Sequence, residues 1–234
     1  MIRRFASVAV LAIALVMFGS GAVNAVPLLS VDFGHDIAPP TPVQPGFIGI
    51  AGPTSVASHT APAGAYTITV EGNGFFHAGF NAGNVGPAVA ALFEDYYYNN
   101  ATDSATGIKV TLAGVTPNTE YNVKIWSYDE DNIFSVTPTQ WGPAAGTATT
   151  GTTGLVSDSG GVPYPTTLEE KTTTIRLTST TGELAFFGSS TGGSGGTRLN
   201  GFRLALVPEP TGILMIGGAG IALAAMRRRL IGNR

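Results

Sequence analysis

Ile108-Lys109-Val110-Thr111-Leu112 and Tyr121-Asn122-Val123-Lys124-Ile125-Trp126-Ser127-Tyr128 are the two runs whose periodicity decides the fold class. Side chains alternate across a strand, so Ile108, Val110 and Leu112 share one face, as do Tyr121, Val123 and Ile125. Ala113 to Thr119 between them holds Gly114, Pro117 and Asn118, residues that favour turns over helix. The two runs are expected to form a β-hairpin with one apolar face. The opposite face then carries Lys109, Thr111, Asn122, Lys124, Trp126 and Tyr128, so two large aromatics point away from the core.

Shorter runs of the same kind lie on both sides. Leu29 to Phe33, Tyr66 to Val70, Thr172 to Thr178, Glu183 to Phe187 and Leu199 to Leu206 all read as strands. Pro39 to Pro45 and the Gly/Thr/Ser-rich stretch 142–161 read as loops. Phe75 to Phe80 fits a loop or a short strand. Ala88 to Tyr98 fits either a helical turn or a strand, because three successive tyrosines favour extended backbone. With 32 glycines and no long apolar run at helical spacing outside the termini, the chain is expected to be all-β, a jelly-roll-like antiparallel sandwich.

The termini have a different character. Arg3-Arg4, the apolar stretch Phe5 to Phe18 and the small residues Val23 and Ala25 have the form of a secretory signal peptide, residues 1–25, cut after Ala25. At the far end Val207-Pro208-Glu209-Pro210 precedes an uncharged stretch, 211–226, and then the basic tail 227–234 with Arg227, Arg228 and Arg229. The prolines break any helix entering from the folded part. Sixteen residues rising about 1.5 Å each reach roughly 24 Å, a short transmembrane helix with its basic end in the cytoplasm.

This tripartite tail, residues 207–234, resembles the PEP-CTERM sorting signal of Gram-negative bacteria. The resemblance implies recognition by an exosortase-type membrane protease, transient anchoring in the inner membrane, and export to the cell surface or beyond, often with extracellular polysaccharide or biofilm material. An ordinary tail anchor is the competing reading of the same residues.

The part in between, residues 26–206, is long enough for one sizeable β domain. Six basic residues there, Lys109, Lys124, Lys171, Arg176, Arg198 and Arg203, face fourteen acidic ones, which leaves the domain at −8. Nucleic acid and anionic membrane surfaces are therefore poor partners, while calcium or neutral sugars remain electrostatically acceptable. Cysteine is absent, so packing alone must hold the domain, and thiolate metal sites and cysteine nucleophiles are excluded.

Within this span Val31-Asp32-Phe33-Gly34, Phe93-Glu94-Asp95-Tyr96, Leu112 to Tyr121 and Leu199-Asn200-Gly201-Phe202 together resemble galactose-binding-like or malectin-like sandwiches. Val115 to Val123 also resembles a fibronectin type III tyrosine corner, in which Tyr121 would tie strand to turn. The first resemblance implies a carbohydrate ligand or a structural calcium ion. Trp126, Tyr128 and Trp141, with Asn122 beside them, would make an aromatic platform for a sugar ring, unless they pack beneath the 142–161 loop. The acidic turn with Asp129, Asp131 and Asn132 offers hard oxygen ligands at short spacing, with Glu94 or Asp95 as candidates to join them; calcium is the ion such a loop takes, and a plain acidic turn is the alternative.

No enzyme motif stands out. His35, His59 and His77 lack zinc-pair spacing, Gly192 to Gly196 is not a nucleophile elbow, and nothing pairs Glu94 with Glu183 as glycosidase carboxylates. The expected function is that of an exported, non-enzymatic surface or matrix protein that binds carbohydrate or matrix. A purely structural matrix protein and, more remotely, a secreted glycan-active enzyme are the alternatives.

Overall fold

Alternating runs become strands, but their pairing differs from the expected hairpin. The computed structural model describes residues 26–35, 42–53, 56–78, 85–99, 107–128, 138–144, 155–156, 164–190 and 196–208. The chain divides into two units, Pro27–Leu206 and the two ends taken together. The signal peptide, most of the Pro-Glu-Pro motif, the 211–226 span and the basic tail lie outside the described residues. Among the described residues no helix is long and apolar enough to cross a membrane.

The strands are β1 (Pro27–His35), β2 (Ile48–Gly52), β3 (Val56–Ala63), β4 (Tyr66–Ala78), β5 (Asp95–Asn99), β6 (Ile108–Ala113), β7 (Thr119–Trp126), β8 (Pro138–Gly142), β9 (Leu155–Val156), β10 (Thr172–Ser179), β11 (Glu183–Ser190), β12 (Thr197–Leu199) and β13 (Gly201–Leu206). A single helical turn, α1 (Ala90–Glu94), leads straight into β5. Both readings of the 88–98 stretch are thus realised, one after the other. Five strands form one sheet in the order β10-β7-β13-β1-β2. The other has eight, in the order β12-β5-β4-β6-β11-β8-β9, with β3 paired to β4. Pairing is antiparallel except between β1 and β2, which run parallel from Val31↔Ile48 to His35↔Gly52.

β6 and β7 belong to different sheets, so the expected hairpin is an arch instead. β6 pairs with β4 and β11, whereas β7 pairs with β10 and β13. Alternation determines which face is apolar, not which strand lies alongside, and an arch also turns both apolar faces into one core. The turn itself explains the choice. Gly114 has φ +94 and Asn118 φ +54, left-handed values that suit these two residue types. A Cβ on Gly114 would lie 2.9 Å from the Ala65 carbonyl oxygen. Gly114 and Val115 both donate to the Gly182 carbonyl, at 3.1 and 3.2 Å, which holds the arch against the β10–β11 turn. Val115 is buried inside it, and the Thr116 N–H donates to Tyr121 Oη at 2.9 Å. That bond is the tyrosine corner.

The core between the sheets is built from the inward residues of these strands, including Val31, Ile68, Val110, Leu112, Val123, Ile125, Ile175 and Leu204. A line of rings runs through it. Tyr97 meets Phe76 at 5.1 Å, Phe76 meets Phe33 at 6.3 Å, Phe33 meets Phe202 at 6.0 Å, Phe202 meets Phe186 at 5.5 Å and Phe186 meets Trp141 at 6.0 Å. Trp141 fits because its sheet neighbour is glycine: a Cβ on Gly188 would come within 2.6 Å of the indole.

Tyr121→Phe removes the hydroxyl that accepts the Thr116 N–H and leaves the ring in place. Denaturant unfolding should show a loss of about 1 kcal/mol. An unchanged midpoint would mean that water serves Thr116 equally well.

Candidate functional site

The outer face of the five-stranded sheet carries Asn122 and Trp126, with Tyr128 just beyond the end of β7. Register places Lys124 between Arg203 and Thr174, Asn122 between Ala205 and Arg176, and Trp126 between Gly201 and Thr172. Residues directly paired share a face, so Arg203 stands beside Lys124, and Arg176, opposite Asn122, lies on the same face one diagonal step away. Arg176 is 3.4 Å from Glu120, and Lys124 Nζ is 2.6 Å from Glu169 Oε2.

At one end this face is roofed. Trp126 is fully buried; its ring meets Phe47 at 5.5 Å and its Nε1 donates to the Leu168 carbonyl at 3.0 Å. Tyr128 is fully buried too, 5.6 Å from Phe93, with Lys171 Nζ 5.3 Å from its ring centre. Val85, Val89, Leu92 and Phe93 join both aromatics in a second apolar cluster, against which Phe47 and Leu168 pack. Among the described residues the roof comes from the 42–47 turn, the 85–94 segment and the 164–170 loop; most of the 142–161 stretch lies outside them. Glu170 shapes that last loop. Its carboxylate accepts the Thr166 and Thr167 N–H groups, which holds its pKa below the usual carboxylate range.

The outward parity of Trp126 and Tyr128 is thus as expected, yet neither ring is open to a ligand. Trp141 lies in the core between the sheets, in a different cluster from the other two. The three aromatics do not form an exposed platform. Asn122 is half-buried on the same outer face as Lys124. Asp129, Asp131 and Asn132 lie outside the described residues. Among the described residues no group of three His, Cys, Asp or Glu side chains is placed to hold a metal ion.

One site residue escaped notice in the sequence. In the sequence Asp32 belongs to the Val31-Asp32-Phe33-Gly34 stretch as the polar half of an alternating strand, with no site role, but it is 2% exposed. Its Oδ2 accepts the Gln44 N–H at 2.7 Å, and Gln44 Nε2 donates to the Ala88 carbonyl at 3.0 Å. Among the described residues Asp32 Oδ1 and Gln44 Oε1 have no hydrogen-bond partner. Burial pushes the Asp32 pKa up to about 7; the Gln44 N–H opposes this, while the charges of Asp95 and Glu94 add to it. Only the fold buries Asp32, so no local signal could have found it.

No family model matches this chain, and no curated protein matches it. A crystal structure that resembles it is that of protein YxiM from Bacillus subtilis, with a TM-score of 0.45 and 12% identity over 76% of this chain and 40% of that one. The chain thus spans well under half the length of that protein, and a similarity so distant transfers no role.

Two measurements check this end of the sheet. Trp126→Ala should cost about 3–5 kcal/mol, because it empties a closed site and leaves the Leu168 carbonyl without its donor; a small loss would mean that the roof opens in solution. For Asp32, folding raises the pKa from 3.8 to about 7. Its contribution to stability is fully present below about 3.8 and is lost as pH rises through about 7. Asp32→Asn keeps an oxygen for the Gln44 N–H and cannot ionise, so its melting temperature should exceed the parent's at pH about 8 and converge with it near pH 4. Equal melts at both pH values would show that Asp32 is solvated.

Proposed function

We propose that this chain is an exported, non-enzymatic surface or extracellular-matrix protein, whose β-sandwich holds polysaccharide or other matrix material after its C-terminal signal has been processed. The observation that supports this reading is that one sandwich lies between two terminal stretches with the sequence form of processing signals. The compact unit Pro27–Leu206 begins just after the expected cut at Ala25 and ends one residue before Val207-Pro208-Glu209-Pro210. In this reading an exosortase-type protease acts at the motif, the 211–226 span holds the chain in the inner membrane until then, and Arg227, Arg228 and Arg229 keep the tail on the cytoplasmic side.

A purely structural matrix role without a specific ligand is the second reading. The burial of Trp126, Tyr128 and Trp141 favours it, since aromatic stacking on a sugar ring needs an exposed face.

Intact-mass measurement of the surface form in a host that carries the sorting protease tests the export route. The expected species has lost residues 1–25 and the C-terminal part of the chain from near Val207-Pro208-Glu209-Pro210. A surface form that retains Arg227, Arg228 and Arg229 would replace sorting by simple tail anchoring.

A further inference from the structure

We infer that the outer face of the five-stranded sheet, centred on Arg203 and Lys124, binds the carboxylates of an acidic, uronic-acid-containing polysaccharide. This rests on the matrix-protein reading and names the class of polysaccharide and the surface that would meet it.

The distribution of charge points there first. Residues 26–206 carry six cations against fourteen acids, yet three of the six, Arg203, Lys124 and Arg176, share this one face on adjacent strands. Lys124 and Arg176 are each paired with a carboxylate. Arg203 has no carboxylate partner among the described residues. Its guanidinium lies 5.2 Å from the Phe47 ring centre and 5.5 Å from that of Trp126, and its Nε donates to Ser30 Oγ at 3.0 Å. The two rings and that one bond hold the half-buried group, and among the described residues its two terminal nitrogens have no hydrogen-bond partner. A planar fork held in this way matches a carboxylate in two-point contact.

A carboxylate already occupies the neighbouring position. Glu169 reaches Lys124 from the 164–170 loop; its side chain is 81% exposed while that of Lys124 is 18% exposed. The lysine is the built half of this pair and the glutamate the loose half. A ligand carboxylate can take the place of Glu169 at little cost, because an exposed ion pair contributes little to folding. Around the two cations the face offers Thr174, exposed, and Asn122, half-buried, as partners for sugar hydroxyls. A neutral sugar would leave the Arg203 fork unused, and the net −8 of the domain disfavours acidic chains everywhere except at such a local cationic face.

The test uses the full-length chain purified in mild detergent, with polygalacturonate as the acidic probe, a neutral glucan as control and polyglutamate as an acidic peptide. Polygalacturonate should be retained, less so as salt is added, while the glucan is not. Arg203→Lys keeps the charge but loses the fork, and should weaken binding about tenfold; because it also gives up the ring contacts and the Ser30 bond, binding is compared at a temperature at which both proteins are fully folded. Glu169→Gln frees Lys124 at an exposed position and should strengthen binding several-fold. The inference is overturned if the glucan binds as well as polygalacturonate, if polyglutamate binds as tightly, if both variants bind like the parent, or if no polymer is retained. The export route is read separately, by mass and location, and can stand or fall without this result.

Discussion

Asn200 is the residue on which the arrangement depends. It alone separates β12, which lies in the eight-stranded sheet, from β13, which lies in the five-stranded one. A single residue that passes between sheets exposes its backbone groups to the core, where unpaired polar atoms cost several kcal/mol. All four polar groups of Asn200 are bonded. Its N–H donates to the Trp126 carbonyl at 3.0 Å and its carbonyl accepts the Phe33 N–H at 2.8 Å. In the side chain, Oδ1 accepts the Tyr128 N–H at 2.6 Å and Nδ2 donates to the Asp95 carbonyl at 2.7 Å. One fully buried amide thereby joins β1, the end of β7 and the start of β5. Ser127 Oγ adds a bond to the Arg198 carbonyl at 2.7 Å beside it.

From that corner the burial of the second cluster follows. Because β7 ends at Asn200, Trp126 and Tyr128 leave the sheet where the 85–94 segment enters β5, and α1 brings Leu92 and Phe93 onto them. Gly201 admits this approach: a Cβ there would meet the Val31 carbonyl oxygen at 2.4 Å and Leu92 Cδ1 at 2.8 Å. The same crowding buries Asp32, the register partner of Gly201. A carboxyl group placed under a roof of apolar side chains, near two further acids, holds its proton nearly to neutrality.

The outer face then divides into two regimes. Toward Trp126 it is dry and closed, and its cations act by stacking. Toward β10 it is wet, with Thr174, Arg176 and Thr178 exposed. Arg203 and Lys124 sit on the border, which is where a charged group is both held in place and able to meet a partner. A further ion pair, Lys109 with Glu71 at 2.7 Å, joins half-exposed side chains on the other sheet and adds little to stability.

Local chemistry alone made much of this protein legible. Alternation is a property of each strand, so the inward sets Ile108, Val110, Leu112 and Tyr121, Val123, Ile125 could be read residue by residue, as could the tyrosine corner and the polar, turn-rich segments. The outward parity of Trp126 was equally readable. What covers it was not, because Phe47, Phe93 and Leu168 come from segments far apart in the chain, and no period relates them. The arch between β6 and β7 was decided by the Gly182 contact and the approach of Ala65, again through space. The burial of Asp32, the grouping of Arg203 with Lys124 and the separation of Trp141 from Trp126 have the same origin: strand order. Side-chain pattern determines which face of a strand is apolar; only the assembled sheets determine which residues meet on it.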